Sequence, residues 1–105
     1  MKFSTTYEIS GKTITENLGI VAGNVVQSKH IGRDLMANLK SIVGGEIIGY
    51  TEMLADARDV AIERMVAEAK DRDADAIVNV RFATSSIMGN ASEILAYGTA
   101  VKLKS

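Results

Sequence analysis

The sequence predicts an α+β domain in which an antiparallel sheet is covered by one long and one short helix, in the order β-β-α-α-β-β. Three observations carry this. A sustained helical pattern runs from Tyr50 to about Arg72, strictly alternating segments close the chain, and β-branched runs punctuated by glycine precede the helices. At 105 residues there is room for one core, so residues 1–105 form a single domain.

From Phe3 to Glu16 the pattern is extended, and Ser10-Gly11-Lys12 reads as the turn of a hairpin between Phe3–Ile9 and Thr13–Glu16. The run from Leu18 to Gln27 is rich in β-branched residues and reads as a strand. Gly19 or Gly23 within it marks a bulge or a close backbone approach. Residues Gly32 to Val43 predict the short helix, with Ile31, Leu35, Leu39 and Ile42 or Val43 on one side and Gly44-Gly45 as its stop.

The long helix is the organising element. On a period of ~3.6 residues, Met53, Leu54, Ala57, Val60, Ala61, Met65 and Ala69 share one apolar face. Glu52, Asp56, Asp59, Glu63 and Lys70 lie opposite, and the helix could start as early as Glu46. A polar exit at Asp71–Asp75 leads into Ala76–Phe82, where Val78, Val80 and Phe82 alternate with Ile77, Asn79 and Arg81. After a Ser/Gly/Asn loop from Ser85 to Ser92, Leu95, Tyr97, Thr99, Val101 and Leu103 alternate with Ile94, Ala96, Gly98, Ala100 and Lys102. The two segments form an antiparallel hairpin.

Composition narrows function mainly by exclusion. A formal charge of -1 supplies no drive toward nucleic acid or anionic membranes. Without cysteine there is no disulfide, thiolate metal site or cysteine nucleophile. The N-terminus lacks an apolar core of signal-peptide length, and a cytoplasmic protein is expected. Hydroxyls are plentiful at Ser4, Thr5, Thr6, Thr84, Ser85 and Ser86, but none sits in a nucleophile motif.

Arg58 lies on the flank of the helix's apolar face, so its guanidinium must reach the edge or find a carboxylate, with Glu46 and Glu93 as candidates. Arg64 and Glu68 are spaced for a helix-surface pair. The carboxylates of Glu52, Asp56, Asp59 and Glu63 recur on successive turns. Such a stripe is a solvated face, a partner for a basic neighbour, or a set of oxygen ligands for a hard divalent cation. His30 is the only histidine, so a histidine-based metal site would need symmetry-related copies.

Over its whole length the chain resembles the YbjQ-like family of small bacterial and archaeal proteins, which carries a heavy-metal-binding label. The residues that carry the resemblance are Ser4-Thr5-Thr6 with the Gly11 turn, Gly19-Ile20-Val21-Ala22-Gly23, Gly44-Gly45-Glu46 with Tyr50, Ala57-Arg58, Met65, Ala74–Val78 and Tyr97–Val101. The resemblance implies a dodecin-subunit-like chain that assembles into a homo-oligomeric ring, a pentamer being favoured, and it implies no enzyme activity. Soft metals prefer thiolate and thioether ligands; this chain has no cysteine, and its methionines are scattered.

The expectation is therefore a ring-forming binding or scaffold protein whose partner is itself. A small ligand or cation would bind at subunit interfaces near Glu46, Tyr50 and Arg58. The alternative is a metal-binding protein using the carboxylates Glu52, Asp56, Asp59 and Glu63, or a ring of His30. An enzyme with an interface active site stands third.

Overall fold

The long helix and the closing hairpin form much as the sequence predicts, while the N-terminal third is wired differently. The computed structural model describes residues 1–28, 42–43, 46–87 and 91–105. Its elements in chain order are β1 (Lys2–Phe3), β2 (Thr13–Ser28), β3 (Ile42–Val43), β4 (Glu46–Ile47), α1 (Ile48–Asp71), β5 (Ala76–Ile87) and β6 (Ala91–Lys104). The main sheet has the order β1-β5-β6-β2, and β3 pairs with β4 as a separate ribbon.

Helix α1 lies across β2 and β6. Ala57, Ala61, Met65 and Ala69 are buried against Val21, Ile77, Val80, Ile94, Ala96 and Ala100. Small residues at three of the four helix positions let the backbone sit close to the sheet, and Gly23 takes this furthest. A Cβ there would collide with the Ala61 carbonyl oxygen and the Met65 nitrogen. Leu54, expected on the same apolar face, is exposed and lies outside the buried cluster.

The helix stops in a Schellman arrangement. The Asp73 amide donates to the Lys70 carbonyl at 2.9 Å and the Ala74 amide to the Ala69 carbonyl at 3.1 Å. Asp73 takes the left-handed position with φ of 59°, where glycine is the usual choice. Lys102 Nζ holds it there through its backbone oxygen at 2.8 Å and its carboxylate at 3.3 Å.

Gly19 supplies the bulge that the sequence left undecided between two glycines. Its φ is +94°, and the β2–β6 register shifts between Asn17 and Gly19. Gly23 is the close approach.

Four expectations need correction. The sheet is mixed: β1 runs parallel to β5, with Lys2 opposite Ala76 and Phe3 opposite Ile77. There is no N-terminal hairpin, since β1 and β2 occupy opposite edges of the sheet. The turn at Gly11 does form, with the Lys12 amide donating to the Ile9 carbonyl at 3.1 Å, but it folds an irregular segment back instead of pairing two strands. Finally, Ile42 and Val43, placed at the end of the short helix, form a strand, and α1 starts at Ile48, not Glu46. The remainder of that short helix, and Gly44-Gly45, lie outside the described residues.

The alternation in Ala76–Phe82 also breaks. The β5–β6 register shifts between Val78 and Arg81, and Asn79 adopts φ of 54°. Ile77 and Val80 consequently face the helix, while Val78 faces the other side with Ile9, Ala76 and Val101. The bulge directs amides outward for the N-terminal segment. Asn79 N–H donates to the Thr6 carbonyl and Val80 N–H to the Ser4 carbonyl, both at 2.9 Å.

Candidate functional site

Strand alternation gives the sheet one face under α1 and one face away from it. On the second face Ile20 lies opposite Thr99, Ala22 opposite Tyr97, Asn24 opposite Leu95 and Val26 opposite Glu93. From β5, Arg81 stands opposite Tyr97 and Ser85 opposite Glu93. One end of this face is covered by the N-terminal segment, whose Ile9 packs on Val78, Val101 and Leu103. The rest is open. Ile20 is 71% exposed, Val26 56% and Tyr97 37%. Contiguous apolar residues of this kind, rimmed by polar ones, mark interaction surfaces.

The polar rim is ordered by hydrogen bonds across three strands. Glu93 accepts from Asn24 Nδ2 at 3.0 Å on one side and from Ser85 Oγ at 3.3 Å on the other. Arg81 Nη1 donates to the Thr5 carbonyl at 2.8 Å, tying the N-terminal segment to the rim. The chain is also drawn out, with extents of 51 × 29 × 17 Å and a radius of gyration of 16.8 Å. A compact chain of this length would have a radius of gyration of about 13 Å.

The residues proposed from sequence fall in different places. Arg58 is exposed and, among the described residues, has no hydrogen-bond or ion-pair partner. Its expected partner Glu93 is engaged elsewhere, as above. Glu46 lies in β4 and Tyr50 in the first turn of α1. Arg58 follows Tyr50 by about two helical turns, roughly 12 Å along the axis, so α1 does not bring the two positions together.

Glu52, Asp56, Asp59 and Glu63 are all exposed along α1. Among the described residues no three His, Cys, Asp or Glu side chains are grouped to hold a metal ion. His30 lies outside the described residues.

Two arginines have roles that helix spacing concealed. Arg64 bypasses Glu68 and donates from Nη1 to the Asn24 backbone carbonyl at 2.6 Å. Arg72 pairs with Glu68 at 3.3 Å and donates to the Leu18 carbonyl at 3.1 Å. Both therefore satisfy carbonyls of β2, the strand at one edge of the sheet, which blunts that edge as a template for further pairing. The only sequence signal is that both arginines follow the buried positions of α1 by about one turn or less.

A model of the family described as "Putative heavy-metal-binding" matches residues 1–104. A UPF0145 protein of Psychromonas ingrahamii is 67% identical over 104 residues, 99% of each chain. One from Thermosipho africanus is 59% identical over 104 residues, 99% of this chain and 96% of its own. Among solved structures, a Pediococcus pentosaceus protein of unknown function, of the DUF74 family, aligns with a TM-score of 0.65 over 99% of this chain and 98% of that one. At 18% identity, that likeness bears on the fold alone.

Proposed function

The chain belongs to the YbjQ family of UPF0145 proteins, and we propose that it is the subunit of a cytoplasmic homo-oligomer, a pentameric ring being favoured, that acts as a binding or scaffold protein. The observation that carries this reading is the uncovered apolar face of the sheet around Ile20, Val26 and Tyr97. A domain of about this size buries only about two thirds of its unfolded surface, and a second copy laid on that face would complete the core. A small ligand or cation would then bind near Glu46, Tyr50 and Arg58, where the Arg58 guanidinium is exposed and without a partner among the described residues. Light scattering coupled to size exclusion tests the assembly, and a monomer at micromolar concentration would overturn it.

The family description favours a second reading, a metal-binding protein. The described residues do not fit a soft heavy metal. Cysteine is absent, Met65 is fully buried in the core, and no group of three candidate ligands converges. The ligands left to this reading are the exposed carboxylates Glu52, Asp56, Asp59 and Glu63 shared between copies, or a ring of His30. Elemental analysis of untagged protein after exposure to zinc, copper and nickel decides it. Stoichiometric retention would support the reading, and metal-free protein with an unchanged melting temperature would remove it.

A further inference from the structure

At the end of the sheet where β1 begins and β6 finishes, an open cleft of about 380 Å³ gathers residues far apart in sequence. Ile9 and Leu103 contribute apolar wall, and Lys2, Lys12 and Lys104 bring three ammonium groups. Asp75 also lines it, with Oδ2 fixed by the Leu103 amide at 2.8 Å. Among the described residues, none of the three ammonium groups has a hydrogen-bond or ion-pair partner. Charge thus accumulates here locally in a chain whose formal net charge is -1.

We infer that this cleft binds a small organic anion with a short apolar body, such as a carboxylate or a phosphate monoester. The volume lies within the range of small-molecule sites, which pair apolar walls with a few placed polar groups. The lysines can contact the anionic head while Ile9 and Leu103 receive the apolar part. Asp75 opposes a second negative charge and so favours ligands of low charge. Because the cleft lies at the end of the sheet capped by the N-terminal segment, the inference does not depend on the homo-oligomer reading.

The test is a titration of ¹⁵N-labelled protein with hexanoate, with acetate and hexylammonium as controls and light scattering on the same samples. Hexanoate is expected to shift the Leu103, Asp75 and Lys12 amide resonances saturably, acetate more weakly, and hexylammonium not at all. Lys12→Gln and Lys104→Gln should each weaken hexanoate by about twofold to fivefold, as exposed charge pairs do. Asp75→Asn keeps an acceptor for the Leu103 amide and should tighten binding. Added salt should weaken binding throughout. Equal response to hexylammonium, an affinity unchanged in the Lys12→Gln/Lys104→Gln double variant, or no saturable shift would each overturn the inference, whatever oligomeric state the scattering reports.

Discussion

Arg64 Nη1 donates to the backbone carbonyl of Asn24 at 2.6 Å, while the Asn24 side chain donates to Glu93 at 3.0 Å. One residue of β2 is therefore fastened to the helix through its backbone and to β6 through its side chain. Gly23, immediately before it, is where the helix backbone comes closest to the strand. The arginine holds the layer together beside the point of tightest packing.

Arg64→Ala should destabilise the fold by about 1 kcal/mol, the net worth of a hydrogen bond of this type at an exposed site. Arg64→Lys should recover part of that loss. Urea unfolding followed by circular dichroism checks both; an unchanged midpoint for Arg64→Ala would show that the contact contributes nothing.

Gly23→Ala should be the more damaging of two glycine substitutions in β2. Its Cβ meets helix backbone, which cannot rotate away, and overpacking of this kind costs about 1–3 kcal/mol or more. Gly19→Ala meets only the tip of Arg72, at 3.2 Å, and pays mainly for φ of +94°. Thermal melts of the two variants should rank in that order.

Met65→Ala should cost about 2–5 kcal/mol, because the side chain is fully enclosed and its removal leaves a cavity. Leu54→Ala, on the same predicted stripe but exposed, should stay within about 0.5 kcal/mol in the isolated chain. A large effect at Leu54 would mean that another chain covers it.

Asp73→Gly should stabilise. The left-handed conformation costs a non-glycine residue about 1–2 kcal/mol, and the ion pair lost with Lys102 is exposed on the Asp73 side, worth about 1 kcal/mol at most. A rise in melting temperature is the expected outcome; a fall would show that Lys102 does more than hold the helix end.

Helix α1 and the β5–β6 hairpin were legible because their information is local. The 3.6-residue stripe through Ala57, Ala61, Met65 and Ala69 and the alternation from Ile94 to Leu103 each sit within one segment. The N-terminal wiring was not. Ser10-Gly11-Lys12 has turn chemistry that serves a hairpin or an irregular fold-back equally, and the parallel pairing of Phe3 with Ile77 joins residues distant in sequence. The bulge at Asn79 left no sequence mark either, since an asparagine at positive φ looks like any other, and it reversed the facing of Val80 and Phe82.

The candidate site was less legible still. A helical wheel puts Arg58 on the apolar flank but carries no information on what packs against that flank, and Arg58 is exposed. The same wheel paired Arg64 with Glu68, one turn away, whereas a carbonyl of β2 takes the guanidinium. The lysines at positions 2, 12 and 104 carry no pattern in sequence and meet only because β1 and the end of β6 share one end of the sheet.

If another copy covers the open sheet face, size exclusion with light scattering should separate wild type from the Ile20→Lys/Val26→Lys variant. Both side chains point away from the core, so the variant should keep the wild-type circular dichroism spectrum. Wild type should elute as a multiple, favouring five, of the 11.2 kDa chain, and the variant as a folded monomer. A wild-type mass of one chain, or a variant that assembles as wild type does, would contradict coverage of that face by another copy.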